Sequence, residues 1–171
     1  EHRRKNLKDY PIFKKTIIGL LAILLIILAL PYMLGGNSIL SIVESLLESK
    51  TSNNLTIYLD NFSIVFSEGS WSSLQNSYNL NQEQEFVACL LGEKNENYYI
   101  NEVIYPKVNS QSISHVNYEP CPKEALINLH SHPFRKCIAS EQDLETLDKL
   151  KQSNPDTLII IMCEPNRFSI Y

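Results

Sequence analysis

Residues 125–162 read ALINLHSHPFRKCIASEQDLETLDKLKQSNPDTLIIIM, and their pattern indicates the class of fold. Its apolar start predicts a strand over Ala125–His132, and the aliphatic run in Thr157–Met162 predicts a second strand that is buried on both faces. Between them, leucines at helical spacing behind an S-x-x-D box predict a helix over Ser140–Ser153. A strand, a helix and a strand in this order are typical of an α/β domain.

The rest of the chain after residue 54 continues this alternation of strands and helices. Apolar and β-branched residues bounded by turn-forming ones predict further strands, and Trp71–Tyr78 predicts a helix. The further predicted strands are Leu55–Leu59, Phe62–Phe66, Phe86–Gly92, Tyr98–Tyr105 and Arg167–Tyr171. We therefore expect residues 55–171 to form an α/β domain with a mixed central β-sheet flanked by helices.

Composition and charge exclude several classes of protein. The 171 residues are 44% hydrophobic, which suits about one folded domain and argues against wholesale disorder. Residues 1–15 hold six Lys or Arg against two acids, whereas the remaining residues hold nine against seventeen. The body therefore carries a net charge of -8, so we expect no nucleic-acid partner.

A long apolar segment lies near the start of the chain. Residues 17–34 are almost purely aliphatic and span about 27 Å as a helix, near the lower limit for crossing a bilayer. This predicts a transmembrane helix over residues 16–35, between a basic segment at 1–15 and an amphipathic stalk or linker at 36–54. A cleaved secretory signal and a buried helix are the alternatives.

The charge distribution around this segment predicts an orientation. Basic residues crowd before the apolar run, and the first one after it is Lys50. The positive-inside rule then predicts a single-pass membrane protein with its N-terminus in the cytoplasm and its folded domain outside it.

Two histidines and an aspartate form a candidate metal site. His130 and His132 stand two residues apart on a predicted strand, so their side chains emerge on the same face. Asp143, in the first turn of the next helix, is able to add a carboxylate. Three ligands with one open position are typical of catalytic zinc, although two histidines and a carboxylate also hold Fe²⁺. A zinc-activated water needs a nearby base.

These residues resemble the motif of the JAMM/MPN+ zinc metalloproteases, in particular their compact prokaryotic branch. The family pattern is an upstream glutamate followed by H-x-H-x7-S-x-x-D, and His130, His132, Ser140 and Asp143 match every spacing. Family members also place the glutamate seven residues before a glycine that ends an apolar strand. Glu85 stands in that relation to Gly92, which favours Glu85 over Glu83.

The resemblance implies a fold, a cofactor and an activity. It implies an MPN/JAB-like α/β domain in which His130, His132 and Asp143 bind Zn²⁺. Glu85 would be the general base and Ser140 would steady the oxyanion. The family hydrolyses peptide or isopeptide bonds, often those of ubiquitin-like modifiers. We therefore expect a membrane-anchored metallopeptidase or isopeptidase with a protein or peptide substrate.

Other interpretations of the same residues stay open. An S-x-x-D box by itself is usually only a helix cap, and a lone H-x-H is more often a chance pair. A non-catalytic MPN-like interaction module tethered to a membrane complex is the main alternative function. A RadC-like, DNA-linked protein shares the motif spacing, but the acidic body argues against it.

The four cysteines are predicted to have different states. Cys89 and Cys163 lie in predicted strands and have the pattern of buried thiols. Cys121 and Cys137 lie in predicted loops, where an oxidising compartment would allow a bridge between them. A zinc-ligating thiolate at Cys137 is a further alternative.

Overall fold

The computed structural model divides the chain into two compact units, Glu1–Leu40 and Ser41–Tyr171. The described residues are 11–33, 45, 47–111, 116–132 and 136–171.

The first unit contains helix α1 (Pro11–Met33). Among the residues that the structure describes, no helix combines the length and the apolar character needed to cross a membrane. The predicted transmembrane helix over residues 16–35 is therefore wrong. The physical reason is length, since the uncharged part of α1 covers 16–33, about 27 Å against a hydrocarbon core of about 30 Å.

Two further predictions rested on that helix. The single-pass membrane location, with the N-terminus cytoplasmic and the folded domain outside, is wrong for the same reason. Of the predicted basic segment at 1–15 and the stalk at 36–54, residues 1–10, 36–44 and 46 lie outside the described residues.

The second unit is built on a mixed β-sheet of eight strands. They are β1 (Lys50–Thr51), β2 (Thr56–Tyr58), β3 (Ser63–Phe66), β4 (Val87–Lys94), β5 (Tyr98–Ile104), β8 (Ile127–Ser131), β9 (Leu158–Glu164) and β10 (Arg167–Ile170). Their order is β1-β10-β9-β8-β4-β5-β3-β2. Two of the pairings, β3 with β5 and β8 with β9, are parallel and the others antiparallel. The predicted α/β architecture with a mixed sheet is confirmed in this unit.

Within the described residues, helices α2 (Glu68–Leu80) and α3 (Glu141–Ser153) pack near the sheet. Helix α2 contributes buried Leu74 and the half-buried Trp71 to the main hydrophobic core, where Trp71 lies 5.8 Å from the ring of Phe168. Helix α3 contacts β9, and Leu147 is its buried residue. Because α3 connects the parallel strands β8 and β9, its first turn begins near the carboxyl end of β8.

Alternation along the central strands separates the core from the polar residues. On β8, Ile127 and Leu129 belong to the main core with α2. His130 therefore points to the opposite face of the sheet. The aliphatic strand β9 is buried along both faces, as its sequence predicts.

A small hairpin lies outside the predicted elements. Strands β6 (Val108–Gln111) and β7 (Val116–Tyr118) pair antiparallel as a separate two-stranded sheet. Their short and polar sequences lack the apolar alternation by which a strand is predicted.

The cysteines form two disulfides that differ from the prediction. Cys89 is bonded to Cys121 and Cys137 to Cys163, with Cα–Cα distances of 5.6 and 5.3 Å. The prediction of buried thiols at Cys89 and Cys163 is therefore wrong. A bridge between Cys121 and Cys137, which the sequence left open, is not formed, since each is bonded to another cysteine. The pairing follows from which strands become neighbours in space, and sequence spacing does not reveal that.

Gly92 provides a test of the sheet. The β4–β5 register shifts between Leu91 and Gly92, and a Cβ atom at Gly92 would overlap the carbonyl group of Tyr99. We expect Gly92→Ala to lower the free energy of unfolding by about 3 kcal/mol or more, because backbone must move to make room. Denaturant unfolding measures this.

The matched control is Gly69→Ala. Gly69 lies in the first turn of α2, and a Cβ there meets nothing within 4 Å. This change should stabilise the protein by up to about 1 kcal/mol through helix propensity. Equal effects of the two substitutions would contradict the assigned register.

Candidate metal centre

Strand register brings Glu85 towards the histidines. On the antiparallel β4–β8 ladder Val87 pairs with His130. The backbone N–H of Ser131 donates to the Phe86 carbonyl at 2.9 Å, and the Phe86 N–H donates to the Ser131 hydroxyl at 3.0 Å. Continuing the register two residues beyond the Val87–His130 pair places Glu85 opposite His132, on the face that both imidazoles share.

His132 is held at two points. Its backbone N–H donates to the carbonyl of Met162 at 3.1 Å, which fixes the strand end against β9. Its ring Nδ1 lies 3.1 Å from the carbonyl oxygen of Lys136. Because a carbonyl only accepts, Nδ1 carries the hydrogen and Nε2 keeps its lone pair for another partner.

Asp143 is oriented by the start of α3. Ser140 is the N-cap, and its hydroxyl accepts from the Asp143 N–H at 3.2 Å. The backbone N–H and the hydroxyl of Ser140 both donate to Asp143 Oδ2, each at 2.7 Å. This capping box uses Oδ2 for the helix and leaves Oδ1 3.2 Å from His130 Nε2.

Three ligand atoms converge at this point. One atom each from His130, His132 and Asp143 lies within 4.8 Å of the others. His132 Nε2 is 3.8 Å from Asp143 Oδ2 and 3.9 Å from Glu85 Oε1. The structure thus brings the three predicted ligands together with Glu85 beside them.

The state of His130 suits a metal ligand. Its Nε2 is buried and, within the described part of the chain, makes no hydrogen bond, although Asp143 Oδ1 is close by. A buried polar atom without a hydrogen bond is costly in a folded protein and calls for an explanation. Coordination of a cation through this lone pair would provide one, so the donor set fits a metal ion.

The charge states of His132 and Asp143 also fit metal binding. Burial and the neighbouring His130 lower the pKa of His132 to about 4, against the opposing effects of Asp143 and the Lys136 carbonyl. Burial by itself would raise the pKa of Asp143, but His130 and the hydrogen bonds from Ser140 hold it well below its usual range. At neutral pH the site therefore presents a neutral imidazole and a carboxylate, the forms that bind metals.

The sequence did not point to two further groups near the site. One is the Lys136 carbonyl that orients His132, since a backbone group leaves no motif. The other is Tyr118 on β7, because burial and the negative charge of Asp143 both raise the pKa of its phenol.

The chemical roles assigned to Glu85 and Ser140 stay predictions. Glu85 is buried, and its carboxylate lies near His132 as described above. Ser140 acts as the helix cap.

The pKa of His132 predicts a pH dependence of stability in the metal-free protein. The unfolded chain takes up a proton at His132 near pH 6.5, whereas the folded protein does not until about pH 4. The free energy of unfolding should therefore fall as the pH drops through this window, by about 3 kcal/mol at full effect.

Comparing His132→Gln with the parent protein isolates this contribution. The variant should lose less stability between pH 6.5 and 4 in denaturant titrations. Protonation of Asp143 does not change the free energy of unfolding between pH 6.5 and 4, since its stabilising contribution is lost only below its unfolded pKa of 3.8. Identical pH profiles for both proteins would show that His132 takes up its proton normally in the folded state.

Comparisons with known proteins give likenesses among solved structures and none among family models or curated proteins. No protein-family model matches the chain, and no curated protein matches it. Among solved structures, the chain is similar to the crystal structure of a JAB1/MPN domain protein from Archaeoglobus fulgidus, with 22% sequence identity and a TM-score of 0.42. The match covers 62% of this chain and 86% of that one. The sheet and the His-His-Asp cluster described above rest on this chain's own residues.

Proposed function

We propose that the Ser41–Tyr171 unit is a zinc-dependent hydrolase that cleaves peptide or isopeptide bonds in a protein or peptide substrate. The observation that carries the proposal is the convergence of His130, His132 and Asp143 within 4.8 Å, with the carboxylate of Glu85 beside them. The spacing of these residues resembles the JAMM/MPN+ motif, and this resemblance supports the choice of reaction.

His130, His132 and Asp143 would hold the ion. Two imidazoles and one carboxylate form the kind of three-ligand set that catalytic zinc uses, and they leave a position for water or substrate. When bound, the ion supplies Lewis acidity, which makes a water more acidic and polarises a carbonyl group. The same ligands also suit Fe²⁺, so the identity of the metal is part of the proposal.

Glu85 acts as the general base. Its buried carboxylate lies on the histidine face, 3.9 Å from His132 Nε2, and is therefore close to where an attacking water would sit. Glu85 takes one proton from the water as the water oxygen attacks the carbonyl carbon. The same proton then passes to the amine nitrogen as the C–N bond breaks, which leaves Glu85 ionised for the next cycle.

Ser140 has a second task in this proposal. Its hydroxyl hydrogen points at Asp143 Oδ2 in the capping box, 2.7 Å away. A hydroxyl hydrogen rotates freely, so the same group is able to turn towards a carbonyl oxygen that gains negative charge during attack. Ser140 would then stabilise the oxyanion while its backbone N–H keeps Asp143 in place.

The proposal specifies the bond that is cleaved, a peptide or isopeptide bond, and no particular substrate protein. Conjugates of ubiquitin-like modifiers belong to the proposal because the motif resembles a family that cleaves them. A non-catalytic MPN-like interaction module is the competing function, and it predicts no turnover of any peptide or isopeptide.

Glu85→Gln tests the proposal directly. The substitution keeps the size of the side chain but removes its basicity, so we expect hydrolysis to fall by about 10²- to 10⁴-fold. Because Glu85 is not one of the three ligands, zinc content should remain that of the parent protein. Release of amine from peptide-linked and isopeptide-linked lysine substrates measures the first effect, and plasma mass spectrometry measures the second.

Glu83→Gln is the matched control, because Glu83 lies two residues away and is exposed. It should keep activity within about twofold of the parent. Full activity in the Glu85 variant, or equal losses in both variants, would remove Glu85 from the mechanism. A parent protein that binds zinc and cleaves neither kind of bond would favour the interaction module.

A further inference from the structure

The segment between His132 and Asp143 contains one end of a disulfide that has no role in the proposed chemistry. Cys137, in the segment Lys136–Ala139, is bonded to Cys163 near the end of β9. Both cysteines are almost fully buried, with exposed fractions of 1% and 0%. The bond therefore ties the segment between the metal ligands to the strand beside β8.

Hydrogen bonds hold the same segment on its other sides. The Cys137 N–H donates to the hydroxyl of buried Ser45 at 3.2 Å, and the Cys137 carbonyl accepts from the hydroxyl of Ser169 on β10. The Ala139 N–H donates to the phenol oxygen of Tyr171 at 3.1 Å. The segment Lys136–Ala139 is thus fixed from three other parts of the chain.

The far end of the disulfide is fixed as well. The Tyr78 hydroxyl, on α2, donates to the Cys163 carbonyl at 2.6 Å. Cys163 directly follows Met162, which belongs to the main hydrophobic core. The disulfide therefore joins the loop to a rigid point of the fold.

Both ends of the disulfide lie one residue from a group that holds His132. Lys136, which precedes Cys137, accepts the hydrogen bond from His132 Nδ1. Met162, which precedes Cys163, accepts the hydrogen bond from the His132 N–H. His132, the two carbonyl groups and the disulfide thus form a closed ring of bonds and hydrogen bonds around one metal ligand.

We propose that the Cys137–Cys163 disulfide is a positioning element of the metal centre, which fixes the ring orientation and the tautomer of His132. It acts through the Lys136 carbonyl, since the disulfide is the covalent link among the contacts described for this segment, and the hydrogen bonds that remain without it are individually weak. Groups that orient a ligating histidine typically contribute 10- to 100-fold to metal affinity. The inference rests on the metal site of the proposed function, but the tautomer itself is observable without metal.

The second disulfide supplies a matched control. Cys89–Cys121 also links β4 to a loop, but neither cysteine neighbours Lys136 or Met162. The test compares Cys137→Ala/Cys163→Ala with Cys89→Ala/Cys121→Ala, each checked for folding by circular dichroism. Alanine is used because free thiols would themselves bind zinc.

Two readouts are measured on both variants. Histidine-ring nitrogen NMR of the metal-free protein reports the tautomer of His132. Zinc affinity follows from competition with a chromophoric chelator. In Cys137→Ala/Cys163→Ala we expect a mixture of tautomers and affinity weakened 10- to 100-fold, whereas Cys89→Ala/Cys121→Ala should keep one tautomer and an affinity within about threefold of the parent.

A folded Cys137→Ala/Cys163→Ala protein with the parent's tautomer and affinity would overturn the inference, and so would equal losses in both variants. If that variant does not fold, reduction of the folded Cys89→Ala/Cys121→Ala protein decides, because Cys137–Cys163 is the disulfide that this protein keeps. A tautomer mixture after reduction of the metal-free protein supports the inference, and an unchanged spectrum overturns it. A parent protein that binds no zinc would instead defeat the proposed function, while the metal-free spectra still judge the role of the disulfide.

Discussion

The ladders on either side of β8 are the constraint on which the candidate site depends. Pairing with β4 sets Glu85 opposite His132, and pairing with β9 fixes the backbone of His132 through the Met162 carbonyl. Since β8 lies inside the sheet, neither register is able to slip without turning the two imidazoles into the core on the other face. Helix α3 then needs only its capping box to bring Asp143 to the same point.

The energetics of this point argue for a cation. A sheet interior gains stability from apolar contacts, yet here two imidazoles and the carboxylates of Asp143 and Glu85 share a largely buried space. The low pKa values of His132 and Asp143 leave the imidazole neutral and the Asp143 carboxylate ionised at neutral pH. Two neutral-capable nitrogen ligands and a carboxylate within 4.8 Å of one another form a donor set that suits a bound positive ion.

Local sequence patterns predict much of the fold and of the candidate site. The features that depend on pairing between distant parts of the chain are not predictable from such patterns. The period of two in Ala125–His132 predicts both histidines on one face, and the S-x-x-D box predicts a helix start at Ser140. The hairpin β6–β7 was missed because its residues lack alternation, and the disulfide pairing was not predictable because the partners meet only through the sheet order. The transmembrane prediction was wrong because the uncharged part of α1, 16–33, is about 27 Å long and falls short of a hydrocarbon core of about 30 Å.

The most direct test of the central claim is the zinc content of the purified chain after dialysis against zinc and then against buffer, measured by plasma mass spectrometry. We expect about one zinc per chain in the parent protein and in Asp148→Asn, which changes an exposed residue on the same helix. We expect far less zinc in Asp143→Asn, which removes the charged ligand atom and keeps the size of the side chain. A parent chain without zinc, or an Asp143→Asn chain with as much zinc as the parent, would contradict it.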